Sequence, residues 1–114
     1  AGTLVGVRDA RTIIYTDLSG KEYTVPRSTS LVPRNTTLAG EERLDDLVRL
    51  SFLNEPSVLQ CIRIRYSEDI VYTYSGLVLV SLNPYVDIDG LYGSAAMAAY
   101  RGRHREDLDP HIFA

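Results

Sequence analysis

The chain has 114 residues, room for one domain or a domain and a fragment. Hydrophobic residues make up 45% and charged residues 24%, with 8 Gly and 5 Pro, so a disordered or fibrous chain is excluded. A net charge of −3 argues against nucleic-acid binding driven by phosphate neutralisation, and a single cysteine excludes a disulfide framework or a Cys-rich zinc site within the chain. No apolar run approaches the ~20 residues needed to cross a bilayer, and the first residues lack the order of a signal peptide, so no direct membrane insertion is expected. These features predict a soluble, intracellular chain of mixed α and β structure.

Residues 3–25 read as β. Thr3–Val7 and Thr12–Thr16 are rich in β-branched and aromatic residues, Asp17-Leu18-Ser19-Gly20 is a turn, and Lys21–Val25 returns. So short a meander is marginal alone and is expected to close into a small barrel or lean on other structure. Residues 26–41, with Pro26, Pro33 and a Ser/Thr/Asn-rich run, read as an irregular connector. Helical spacing begins near Glu41, with Leu44, Leu47 and Val48 at i, i+3, i+4. Asn54 is a good N-cap and Pro56 falls in the first turn, predicting a helix over 55–66 with Val58, Leu59, Ile62 and Tyr66 on one face, Arg63 and Arg65 solvated, and Cys61 a small core residue. Residues 70–82 are the strongest β stretch, broken at Ser75-Gly76; the apolar run Leu77–Leu82 suits a strand buried on both faces, for which this chain offers little cover. Asn83-Pro84 ends it. Ser94 is placed to cap a short helix over 95–100, and Asp109-Pro110 reads as one more helix start.

Chemistry is sparse. His104 and His111 read as solvated surface histidines rather than metal ligands or a general base, and Asp87 and Asp89 as a plain turn rather than half a cation site. Arg101, Arg103 and Arg105 beside Glu106 and Asp107 read as a self-neutralised exposed helix end. Neither a nucleophile elbow, nor Gly-x-x-x-x-Gly-Lys-Ser/Thr, nor Gly-x-Gly-x-x-Gly appears, so no catalytic residue and no metal ligand is assigned.

Taken in order, several segments together resemble the first part of a myosin motor domain. Asp45-Asp46-Leu47 and Leu50-Ser51-Phe52-Leu53-Asn54-Glu55-Pro56-Ser57-Val58-Leu59 are similar to that family's opening helix. Ile70–Gly76 is similar to its Ile-Tyr-Thr-Tyr-Ser-Gly strand, and Leu77–Tyr85 to the next strand with its Asn-Pro-aromatic end. Tyr100-Arg101-Gly102 and Pro110-His111-Ile112-Phe113-Ala114 match further family positions. The wording looks closest to class V and plant-type or fungal myosins. Residues 1–25 resemble, more weakly, the last strands of the SH3-like barrel that precedes the motor core.

The resemblance implies an α+β fold, with incomplete SH3-like strands and a connector over 1–41, and over 42–114 the helix and first central-sheet strands of a P-loop-type motor, ending before the phosphate loop. It implies that Asn83, Pro84, Tyr85 and Tyr92 match the loop that holds the adenine of ATP. A flat aromatic wall stiffened by Pro suits a purine, although Val86 and Asp87 stand where the family usually has a basic residue. For the intact protein it implies an actin-activated ATPase that uses ATP and Mg²⁺. Its partners would be actin filaments, calmodulin-like light chains and the rest of the motor, in a cytoplasmic, cytoskeletal setting. These residues alone would not hydrolyse ATP or bind it tightly. Two alternatives are a non-enzymatic SH3-like interaction or assembly module and a degenerate motor-like domain of the kind fused to fungal chitin synthases.

Overall fold

A computed structural model of the chain describes residues 2–17, 19–35 and 43–114, the side chains of residues 3 and 7 excepted. Contacts divide the chain into two units, residues 1–34 and 35–114. Among the described residues it is a small α+β protein of antiparallel strands and two α-helices.

The first unit is a three-stranded antiparallel meander, β1 (Gly2–Val7), β2 (Thr12–Asp17) and β3 (Glu22–Pro26), in the order β1-β2-β3. Aspartates set both turns. Asp9 accepts from the backbone N–H groups of Arg11 and Thr12, at 2.7 and 2.8 Å. Asp17 accepts from the Ser19 and Lys21 N–H groups and the Ser19 hydroxyl. These side chains replace backbone acceptors that a tight turn cannot supply. Tyr15 and Tyr23 lie directly opposite and stack, ring centroids 5.2 Å apart. Ile13 is the buried hydrophobic residue of this unit.

In the second unit, α1 spans Glu55–Tyr66, the bounds that the Asn54 cap and Pro56 predict. Asn54 Oδ1 accepts from Ser57 N–H at 3.0 Å, satisfying a first-turn donor that the helix itself leaves open. The buried face differs from the predicted one. Ser57, Cys61 and Arg65, spaced four apart, face inward, while Leu59 is exposed and Val58 and Ile62 are half-buried. Cys61, fully buried, joins Leu47 and Leu50 in the core, and its thiol donates to Leu44 O.

Arg65 corrects the expectation of a solvated side chain: it is 6% exposed. Its Nε donates to Thr73 Oγ1 at 3.0 Å and its Nη2 to Tyr72 O at 2.9 Å. These acceptors lie on a strand seven and eight residues further along the chain, so helical periodicity alone could not reveal them.

The helical spacing near 44–48 resolves into one 3₁₀ turn, Leu47–Arg49; the expected start at Glu41 lies outside the described residues. The turn is short because neighbouring residues take extended backbone. Asp46 (φ −129°) forms a parallel bridge with Tyr74, and Leu50 (ψ 129°) leaves the turn.

A hairpin follows: β4 (Tyr72–Ser75) pairs with β5 (Val78–Ser81) through Gly76-Leu77. Gly76 has a φ of +59°, and a positive φ at the first central residue alone is the type II′ pattern, which wants glycine there. The strand that is buried is β4, flanked by β5 and by the Asp46 bridge, with Tyr72, Thr73 and Tyr74 all buried. The run Leu77–Leu82, suited to a strand covered on both faces, finds little cover in this chain, as expected: Leu77 is 94% exposed, Val78 is exposed, and Leu79 and Val80 are half-buried. Among the described residues β5 pairs with β4 in a two-stranded sheet, so its apolar run keeps an open side.

The last helix, α2, is Ser94–Tyr100. Gly93, not Ser94, stands at its N-cap, with φ +130° and no side-chain cap. A 3₁₀ turn at Arg105–Asp107 follows, and residues 109–114 form no helix, so Asp109-Pro110 opens none within these residues.

Candidate functional site

The four candidate residues lie in the segment that leaves β5. Leu82 N–H donates to Val71 O, holding the strand end to the hairpin. Asn83 then folds back on its own backbone, its Oδ1 accepting from Tyr85 N–H at 2.9 Å. This turn carries Tyr85 at φ +57°, a conformation uncommon for a bulky side chain. The Tyr85 ring is 87% exposed, and Pro84, half-buried, fixes the backbone just before it. The turn is also clamped from α1: the Tyr66 hydroxyl donates to Pro84 O at 3.1 Å and lies 3.4 Å from Asn83 O. Sequence reasoning placed Tyr66 on a helix face only. Its position in the final turn of α1, level with the strand exit, is the feature that gives it this second task.

Asn83, Pro84 and Tyr85 thus form one local unit. Tyr92 is held separately. Between them, Asp89 and Gly90 are the central residues of a turn closed by Leu91 N–H to Ile88 O, with Gly90 at φ +75°. The hydroxyl of Tyr92 pairs with that of Tyr72 at 2.6 Å, while its ring remains more than half exposed. Tyr72 sits opposite Ser81 on the hairpin, so Tyr92 is pinned to the strand pair from which the Asn83 turn emerges. Burial, and next the bond to Tyr92, push the Tyr72 phenol above its ordinary value.

Behind Tyr92 lies an aromatic cluster that sequence reasoning missed. His111, read as a surface residue, is 5% exposed. Its ring stacks on Tyr100 at 4.8 Å and meets Tyr72 edge-on at 5.0 Å, with Phe113 at 4.7 Å. Its Nε2 lies 2.8 Å from Leu91 O, and its Nδ1 accepts from Phe113 N–H at 3.1 Å. The acceptor role of Nδ1 puts the proton of the neutral ring on Nε2, which donates to Leu91 O. Burial, then the Asp109 carboxylate, raise the Tyr100 phenol. The tyrosines were visible in composition, but the convergence of Tyr72, Tyr92 and Tyr100 on His111 depends on tertiary contacts that no local pattern reveals.

His104 is exposed, as expected. Arg105 departs from the picture of a self-neutralised end: its guanidinium lies 4.0 Å from the Tyr74 ring centroid and donates to Gly76 O. Among the described residues no three His, Cys, Asp or Glu side chains gather to hold a metal, and no helix is long and apolar enough to cross a membrane. A depression of about 440 Å³ opens among Asp45, Tyr100, Arg103, Glu106, Asp107 and Asp109; its lining includes none of the four candidate residues.

Comparison with known proteins gives consistent matches. The family model for the myosin head (motor domain) matches residues 44–114. Myosin-2 of Saccharomyces cerevisiae is 49% identical over 73 residues, 64% of this chain. Unconventional myosin-Vc of Homo sapiens is 45% identical over 95 residues, 82% of this chain. Myosin-52 of Schizosaccharomyces pombe is 47% identical over 70 residues, 61% of this chain. In each case the matched part is 5% of the relative's own length.

Proposed function

This chain belongs to the myosin head (motor domain) family, and on that premise we propose that it is the N-terminal portion of an actin-based, ATP-driven motor and contributes the loop that holds adenine. Residues 42–114 begin the motor core, and residues 1–41 supply a partial SH3-like subdomain and its connector. Asn83, Pro84, Tyr85 and Tyr92 cradle the base. ATP and Mg²⁺ serve the intact motor; actin filaments, calmodulin-like light chains and the remainder of the motor domain are its partners, in the cytoplasm and on the cytoskeleton.

The observation that carries this reading is the Asn83–Tyr85 turn. It holds Tyr85 at a positive φ and presents its ring to solvent at the end of a strand pair, clamped by Tyr66. An exposed ring on a stiffened turn costs little to order and offers a purine a flat face. The fit extends to the base alone. The sequence lacks a phosphate-cradling Gly-x-x-x-x-Gly-Lys-Ser/Thr, so the reading assigns the phosphate and Mg²⁺ contacts to the rest of the intact motor.

The test is Tyr85→Ala in the full-length motor that carries this segment. Loss of one base–aromatic contact is worth ~1–3 kcal/mol, so ATP should bind roughly 5- to 150-fold more weakly. Inorganic tripolyphosphate, which has no base, should bind as before. Unchanged ATP affinity in the folded variant would refute the assignment of Tyr85 to the base.

A further inference from the structure

We propose that His111 is a positioning residue for the adenine-holding loop, acting through Leu91 on Tyr92; this rests on the reading of that loop given above. The loop is held at both ends. The end near β5 is fixed by the Asn83 turn and the Tyr66 hydroxyl. The far end is fixed at two points. One is the Tyr92 hydroxyl on Tyr72; the other is the Leu91 carbonyl, which accepts from His111 Nε2. Leu91 and Tyr92 are neighbours, so together the two bonds determine where the Tyr92 ring can stand. Without the Leu91 bond, the Tyr92 ring keeps its hydroxyl bond and its side contacts with His111 and Phe113, at 5.9 and 6.4 Å between centroids, but its backbone is released.

His111 is suited to this by being immobile. It is buried, and its Nδ1 takes the Phe113 N–H, which leaves Nε2 to donate. Stacking on Tyr100 and the edge contact with Tyr72 hold the ring plane. Both ring nitrogens are therefore committed and the donor direction is set before any ligand arrives, which spares the loop an ordering cost on binding. His111 itself belongs to the 110–114 segment, so its bond to Leu91 O ties that segment to the loop.

The experiment uses the full-length motor with His111→Phe, which keeps an aromatic ring but loses both bonds, and His111→Gln, whose amide reaches the Nε2 position and retains a donor toward Leu91 O. Affinities for ATP and for inorganic tripolyphosphate are measured by competition against a fluorescent adenine nucleotide, with thermal melting to verify folding and Asn83→Ala in parallel. We expect His111→Phe to weaken ATP about tenfold and tripolyphosphate by less than about twofold, with His111→Gln recovering most of the ATP loss. Equal losses for the two ligands, or a Gln variant no better than Phe, would overturn the positioning role and leave His111 as packing. If Asn83→Ala reduces the preference for ATP while His111→Phe does not, the loop reading stands and the His111 inference falls. If neither does, both fall.

Discussion

Replacing Arg65 with methionine should destabilise the second unit by about 3–6 kcal/mol. The guanidinium makes two close hydrogen bonds, to Thr73 Oγ1 at 3.0 Å and Tyr72 O at 2.9 Å, and a longer one of 3.4 Å to Arg43 O. A hydrogen bond from a charged donor contributes ~1.5–3 kcal/mol, and the two close ones set the sum. An opposing effect must be weighed, since removing a buried charge relieves its desolvation and can be neutral when the partners are also made apolar. Here the partners stay, so a buried hydroxyl and a backbone carbonyl are stranded and the loss dominates. Arg65→Lys keeps the charge but not the fork, and should recover less than half. Urea denaturation of the 114-residue chain, followed by tyrosine fluorescence and far-ultraviolet dichroism, reads the stability; amide exchange at Thr73 and Tyr74 reads the strand. Stability within ~0.5 kcal/mol of the parent for Arg65→Met, or full recovery with lysine, would show that these bonds do not hold α1 to β4.

Three further outcomes are expected. Asp46 Oδ1 accepts from Val48 N–H at 3.2 Å and Gly76 N–H at 3.0 Å, so Asp46→Ala should cost about 1–2 kcal/mol and speed amide exchange at both positions together, with Asp46→Asn retaining most of the stability. Leu77, almost wholly exposed, should be replaceable by serine with a change under ~0.5 kcal/mol, while binding of an apolar dye to the chain falls. The Ser19 hydroxyl foremost, helped by the Lys21 and Ser19 N–H groups, holds the Asp17 carboxyl below its ordinary value of 3.8. A depressed carboxylate stabilises the folded form above its unfolded value, so the β2–β3 turn should hold at neutral pH and loosen as pH falls below about 4. Amide exchange at Ser19 and Lys21 between pH 3 and 6 in a ratio to an Asp17→Asn variant checks this; an unchanged ratio contradicts it.

What the sequence made legible was local. The bounds of α1 follow from Asn54 and Pro56 because capping is decided within four residues. The break at Ser75-Gly76 follows from glycine's tolerance of positive φ, and the strand end before Asn83-Pro84 from proline's inability to continue a ladder. What escaped was long-range. Arg65 and His111 are residue types that usually face water, and each is buried by acceptors or rings from distant elements. The apolar run of β5 was legible as a strand short of cover, but the burial of β4 was not, because which strand is flanked on both sides depends on where residues 45–46 return. The four residues proposed to hold adenine owed their selection to family resemblance; composition and spacing alone favoured a plain strand end.

Asn35 is 3% exposed, and its amide bonds the backbone of Phe52 in both directions, Nδ2 to O at 3.1 Å and N–H to Oδ1 at 2.8 Å. A side chain thereby impersonates one rung of a ladder. Any shortened version of the second unit is obliged to start at or before this asparagine; trimming to residue 36 would leave the Phe52 peptide groups without their mate, although nothing in the hydrophobic pattern would warn of it.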